Sequence, residues 1–401
     1  MKYITLLGDG MADEPVPELD GRTPLQAAET PHMDALARRG LIGLAETVPA
    51  SFHPGSDVAN LSVFGYDPAA CYTGRSPLEA ASMGVELGPD DVAYRLNLVT
   101  LGLLGGELYM EDFSAGHIAT EEAAQLIHCL QEELGDEVFQ FYPGVSYRHL
   151  MVWRGGRDDI HVPPPHDLIG QSVNRHVPRS AAAMPLMQIT SAAQLLLKQH
   201  PVNLRREAQD QPAANSIWLW GQGKRPQMAT LQEQYNLSGA VISAVDLIKG
   251  IGLYAGLDVI NVPGATGYLD TNYRGKAEAA LDALSSRDFV YLHVEAPDEA
   301  AHGGSLSDKL EAIENFDRDV VGPVMAGMKD FGDYRILLLP DHPTPVLKRT
   351  HTSDPVPFVL AGTAIDATDA SAYSEAEAKA SGRLVSPGHQ LMACLIHGRL
   401  P

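Results

Sequence analysis

The sequence predicts an α/β fold, a mostly parallel sheet flanked by helices, with a smaller α+β domain inserted into it. Short apolar runs recur and end in polar residues of catalytic type. Residues 2–7 lead into Gly8-Asp9-Gly10, residues 289–294 into Glu295-Ala296-Pro297-Asp298, and residues 334–339 into Pro340-Asp341-His342. Continuous apolar runs bounded by turn residues suit strands buried on both faces of a parallel sheet. Helical patterns lie between these runs, and alternation of strand and helix indicates α/β architecture. Such folds gather ligands at the carboxyl ends of their strands, where these Asp and His residues fall.

In chain order, residues 2–7 read as the first buried strand, and the segment from Ser56 opens a helix. Residues 119–134 form an amphipathic helical pattern. His161-Val162-Pro163-Pro164-Pro165-His166 is a loop, residues 181–199 are helical again, and residues 216–220 (SIWLW) are a strand. The methionine-containing stretch 181–189 reads as core. Leu306, Leu310, Ile313, Phe316 and Val320 recur at three- and four-residue steps after Ser305 or Ser307 as N-cap, and Pro323 should kink or end that helix. Residues 357–361 (PFVLA) form another apolar run. The change of texture places the inserted domain at 76–235 and makes the first domain discontinuous, 1–75 with 236–401.

The chain has 401 residues, enough for two domains of roughly 100–200 residues each. No apolar run approaches the roughly 20 residues of a membrane span. The amino-terminal run lacks a small-residue cleavage site and reads as a strand rather than a signal peptide. Cys71, Cys129 and Cys394 are widely separated and suggest neither a disulfide framework nor a CxxC site, in keeping with a cytoplasmic protein. A formal net charge of −22 argues against nucleic acid as a partner, because phosphate backbones attract basic surfaces. A small anionic substrate remains compatible with a local basic pocket. The oligomeric state is open.

Three motifs carry metal-ligand chemistry. They are Asp9, the pair Asp298 and His302, and Asp341-His342 followed by His351. Carboxylate and imidazole suit divalent ions such as manganese, zinc or magnesium. Asp298 and His302 are one helical turn apart and share a face. Singly, each is as well explained as a loop residue or cap; it is their recurrence at three strand ends that points to a centre. Ser56 follows Gly55 at a helix start, where free N–H groups and the dipole favour phosphate. A serine there is commonly an N-cap; the alternative is a nucleophile activated by metal. Asn60, one turn on, is placed to contact a transferring phosphoryl oxygen.

This set of motifs resembles the alkaline phosphatase superfamily and, more closely, the archaeal-type cofactor-independent (2,3-bisphosphoglycerate-independent) phosphoglycerate mutases. Asp20–Leu25, Thr73–Ala80, Asp112–Ile118 and Gly239–Gly250 extend the likeness over nearly the whole chain. The resemblance implies an alkaline-phosphatase-like core with two divalent metal ions, commonly Mn2+, with Mg2+, Co2+ or Zn2+ as substitutes. One would sit among Asp298, His302 and His351, the other among Asp9, Asp341, His342 and the Ser56 oxygen. It implies interconversion of 3-phosphoglycerate and 2-phosphoglycerate through phosphoserine at Ser56, with an inserted domain that excludes water. Asp112 is the acid/base candidate. Arg75, Arg95, Arg148 with His149, Lys224, Arg225 and Lys249 are the candidates for the substrate's anionic groups, each with a solvated surface cation as the alternative. Related readings are a homoserine kinase, a metal-dependent phosphatase and a non-catalytic binding protein; retention of every ligand and of the nucleophile counts against the last.

Overall fold

Apolar runs become strands where they can be buried on both faces, and strands of mixed composition pair with one face open; the chain has thirteen strands in all. The computed structural model describes residues 1–401. In chain order the strands are β1 (Lys2–Gly8) and β2 (Leu41–Ala45); β3 (Val92–Leu104), β4 (Glu107–Asp112), β5 (Phe139–Val145), β6 (Arg148–Trp153) and β7 (Ser216–Lys224); then β8 (Gly239–Ile242), β9 (Asp258–Val259), β10 (Phe289–Val294), β11 (Tyr334–Leu339), β12 (Val356–Gly362) and β13 (Leu384–Val385). Two compact units result, Met1–Tyr72 with Gln227–Pro401, and Thr73–Pro226. The chain therefore leaves the first unit three residues earlier than the sequence reading had it and returns nine residues earlier.

The first unit holds an eight-stranded sheet ordered β13-β2-β12-β11-β1-β10-β8-β9. β1 lies between β10 and β11, parallel to both, with Leu7 opposite His293 and Leu339. β12 departs from expectation. It is the buried strand its composition predicts, but it runs antiparallel to both β11 and β2. An apolar run reports burial on two faces and carries no information on direction. One face of the sheet, with Ile4, Leu6, Val290, Leu292, Ile336 and Leu338, packs against helix residues including Ala277, Ala280, Ile313 and Phe316. Full burial of one such aliphatic or aromatic side chain contributes about 1.5–3 kcal/mol.

The helix Leu306–Phe316 starts as its sequence implies, with Ser305 Oγ accepting the Asp308 N–H at 3.3 Å. Pro323 does not end it, since the helical path continues past it. The helix passes through a π-helical stretch, Asp317–Val321, and resumes as Gly322–Gly327. The wider turn accommodates a ring that has no N–H and would clash with the preceding turn.

In the second unit β3 is the organising strand. It pairs with β4, β6 and β7, all antiparallel. Side chains alternate between faces. Val92, Tyr94, Leu96 and Leu98 point into a core with Leu126, Ile127 and Leu130 of the helix Thr120–Leu134. The core of the helix Met184–Gln199 comes from Leu186, Ile189, Ala193 and Leu197. The stretch 181–189 does supply core residues, Ala183, Leu186 and Ile189, although Met184 itself is 55% exposed. No helix is long and apolar enough to cross a membrane.

Candidate active site and metal centre

The predicted ligands of the first unit meet at the carboxyl ends of β1, β10 and β11. Asp9 follows β1 directly and is held by its N–H donating to Val294 O at 2.8 Å. Gly10 turns the chain with φ +61°, and a Cβ there would sit 2.5 Å from Asp298 Oδ1. Only glycine allows both the backbone angle and the close approach. Asp298 and His302 lie on the helix Ala296–Gly303, with His302 Nε2 3.2 Å from Asp298 Oδ2. His351 brings its Nε2 to 2.8 Å from His302 Nε2 and 3.5 Å from Asp298 Oδ1. His342 Nε2 lies 3.3 Å from Asp341 Oδ2 and 3.6 Å from Asp9 Oδ1.

Two groups have ligand atoms that all lie within 4.8 Å of one another: Asp298, His342 and His351, and Asp9, Asp341 and His342. His342 belongs to both, whereas the resemblance gave it to the second alone. The donor chemistry fits divalent ions of hard to borderline character. Asp9 Oδ1 is buried with no hydrogen-bond partner, although three carboxylates converge there. Burial first, then Asp341 and Asp298, pushes the Asp9 carboxyl well above the usual range. Burial also acts to raise Asp298, but hydrogen bonds from His302 and His351 overcome it and hold that carboxyl well below its ordinary value. His302 itself is lowered by burial and raised more strongly by Asp298, to about 9. A divalent cation would relieve this crowding of buried charge.

Ser56 is the first residue of the helix Ser56–Val63, and Gly55 holds the N-cap position without a side-chain cap. The Ser56 hydroxyl instead lies 3.2 Å from His342 Nε2. Asn60 is fully buried and spent at both ends. Its Nδ2 donates to Ser56 O and to Asp341 Oδ2, each at 2.8 Å, and its Oδ1 accepts from Tyr291 OH at 2.6 Å. It ties the serine's helix to Asp341, and no part of its amide faces an incoming phosphoryl group. Lys249, on the helix Asp246–Tyr254, lies 3.5 Å from Asp246 Oδ1 and acts electrostatically on buried Lys276.

Beneath the cluster lies a support that the sequence did not announce. Lys309 is fully buried, and its Nζ donates to Asp13 Oδ2 at 2.7 Å and to Thr344 O at 2.8 Å. Asp13 Oδ2 also accepts the Val346 N–H. Thr344 in turn donates to Asp298 Oδ1 at 2.5 Å. The only hint in the sequence is a lysine on the apolar side of an amphipathic helix.

In the second unit, Arg95 on β3 pairs with Trp220 on β7, and Arg75 and Arg148 act on it from nearby. Arg95 and Arg75 share Glu79, at 2.7 and 3.2 Å, and lie over the Trp220 ring at 5.1 and 5.4 Å. Burial pushes the Arg95 guanidinium down to about 10, Glu79 raises it, and Arg75 and Arg148 depress it further. Its buried Nε has no hydrogen-bond partner. Arg148 sits 5.8 Å over Tyr147. His149 does not join them. It pairs with Leu96, whereas Arg148 pairs with Asn97 and Arg95 with Leu150, so alternation sends His149 to the opposite, core face. There its Nδ1 accepts the Gly144 N–H at 2.9 Å, and burial pulls it down to about 3. Lys224 is the last residue of β7 rather than a residue beyond it, and Arg225 follows, exposed. Asp112 Oδ1 accepts from Ser114 N and Oγ, shaping the loop after β4.

Comparison with known proteins agrees with this arrangement. A family model described as 2,3-bisphosphoglycerate-independent phosphoglycerate mutase matches residues 37–203. A Geobacter sulfurreducens protein named "Probable 2,3-bisphosphoglycerate-independent phosphoglycerate mutase" is 61% identical over 99% of this chain and 100% of its own. A Methanosarcina acetivorans protein of the same name, without the qualifier, is 53% identical over 96% of each chain. Among solved structures, a Pyrococcus horikoshii protein is 31% identical with a TM-score of 0.84, covering 99% of this chain and 96% of that one. The cofactor-independent phosphoglycerate mutase of Thermoplasma acidophilum is 27% identical with a TM-score of 0.65, covering 99% of each. With identity of this level sustained from end to end, the chain belongs to the 2,3-bisphosphoglycerate-independent phosphoglycerate mutase family.

Proposed function

We propose that this chain interconverts 3-phosphoglycerate and 2-phosphoglycerate through a phosphoserine at Ser56. The observation that carries the reading is the Ser56 hydroxyl at a helix start, 3.2 Å from a histidine that belongs to both candidate ligand groups. A serine there can accept and return a phosphoryl group. The helix N-terminus offers backbone N–H groups to its oxygens.

Asp298, His302 and His351 would hold one divalent ion, and Asp9, Asp341, His342 and Ser56 the other, the single Nε2 lone pair of His342 serving one ion only. Bound there, the ions supply neutralisation of phosphoryl charge and a lowered hydroxyl pKa. The residues themselves do the positioning, on which phosphoryl transfer chiefly depends. Gly10 and Asn60 fix the two carboxylates, and the start of its helix aims Ser56. Arg75, Arg95 and Arg148 match the carboxylate and phosphate of the substrate by fork-shaped donation. Lys224, Arg225 and Lys249 are secondary candidates for the same groups, and Asp112 is the candidate for moving the glycerate hydroxyl proton. We assign manganese as the working metal and the cytoplasm as the compartment, on the family likeness and the reduced cysteines.

The test is an enolase-coupled assay with manganese and 3-phosphoglycerate on wild type and Ser56→Ala. Wild type is expected to turn over, and the variant to lose at least a thousandfold in rate while keeping its metal. Turnover only with homoserine and a phosphate donor, or phosphate release faster than isomerisation, would displace the mutase assignment.

A further inference from the structure

β10 is an apolar strand with one imidazole in it. His293 is fully buried, and its register opposite Leu7 sets it beside Asp9. Its Nε2 lies 2.9 Å from Asp9 Oδ2 and its Nδ1 lies 3.1 Å from Ser243 Oγ. Ser243 Oγ already accepts the Val245 N–H at 3.0 Å. Its second lone pair is still open to an Nδ1–H, so the tautomer is decided on the other side of the ring: an ionised, metal-binding Asp9 can only accept, which places the ring proton on Nε2 and turns the Ser243 hydroxyl proton toward Nδ1.

His342 is set the other way. Thr344 Oγ1 gives its one proton to Asp298 Oδ1, at 2.5 Å, and lies 3.2 Å from His342 Nδ1. A carboxylate can only accept, so the hydroxyl must receive from Nδ1–H, and the His342 lone pair stays on Nε2, facing Asp9, Asp341 and Ser56. The two neighbouring histidines thus carry opposite tautomers.

We propose that His293 is a positioning residue for the metal centre: with Ser243 donating to its Nδ1, it gives its Nε2–H to Asp9 Oδ2 so that Oδ1, the buried oxygen with no partner, faces the ion. The proposal rests on the metal-centre reading above. Tyr291 does the corresponding task from the same face of β10, through Asn60, for Asp341. Outer partners of this kind orient ligands, and losing one typically costs 10–100-fold in metal affinity.

Two measurements test it. In magnesium-loaded wild type labelled with 15N-histidine, His293 should appear neutral with its proton on Nε2 and His342 neutral with its proton on Nδ1. A doubly protonated or Nδ1–H His293 overturns the proposal. Calorimetric titration with Mn2+ should show wild type filling two sites. His293→Phe should weaken one of them 10–100-fold, and His293→Gln, whose amide can still donate, should restore it to within about threefold. Ser243→Ala, a small change at the rim of the strand, covers the case in which His293→Phe does not fold. It should weaken the same site, because Nδ1 loses its donor. Unchanged affinity in His293→Phe or Ser243→Ala sinks the positioning role, whereas wild type that binds no divalent ion sinks the metal reading beneath it.

Discussion

At the scale of single residues, the site depends on positions with no tolerance. Gly10→Ala puts a methyl group against Asp298 at a positive φ, so the turn must move and take Asp9 with it. The expected outcome is a folded protein with Mn2+ affinity reduced at least tenfold, read by metal content after dialysis. Lys309→Met leaves Asp13 buried without its cation. Removing one partner of a buried pair costs about 3–5 kcal/mol, which urea unfolding would report. The candidates most legible in the sequence were Asp9, Asp341 and His342, just past strand ends, and Asp298, in the helix that follows β10, because position in an α/β fold marks them; His351 lies in the loop between β11 and β12 and was singled out by its motif. His293, Thr344 and Lys309 were not legible. Each is a buried polar group whose meaning lies in partners from distant segments, and the local sequence offers at most the placement of Lys309 on the apolar side of its helix. Asn60 was seen but misread, since only coordinates show that both ends of its amide are engaged.

At the scale of elements, the sequence reading located the strands β1, β7, β10, β11 and β12 and the main helices, but not the antiparallel strands β3 to β6, whose mixed composition lacks a continuous apolar run. β12 was recognised as a strand but not as the reversed one, because direction comes from the connections. His149 was placed beside Arg148 for want of register. Its core position has a consequence in pH. Burial holds His149 near 3, below the ordinary value near 6.5. Between these values the unfolded chain binds more protons, so the stabilisation is complete above pH 6.5 and declines as pH falls toward 3. Relative to pH 7, about 2 kcal/mol should be lost at pH 5. Comparing urea midpoints of wild type and His149→Gln at the two pH values isolates this share from other titrating groups. The helix Leu306–Phe316 offers a simpler check. Ser305→Ala removes its cap and should lower stability by about 1 kcal/mol by the same method.

At the scale of the whole molecule, the division into two units was legible from the change of pattern mid-chain, and the crossing points were less so because linkers lack periodicity. Buried carboxylates in the first unit couple its stability to cations. Chelation should lower the thermal midpoint, and Mn2+ at about 100 times its dissociation constant should return roughly 2.7 kcal/mol, measured by calorimetry. The placement of β1 between β10 and β11 bears on how the protein is made. On the ribosome, the second unit has all of its strands once Pro226 has emerged. The first strand to be synthesised still waits, with both edges unpaired until residue 294 has been made and one until residue 339. Long-range closure of this kind is slow, and exposed edges invite association with other chains. Nascent chains of this protein therefore need shielding at the amino terminus for most of their synthesis, and truncated products should be rich in misassembled material.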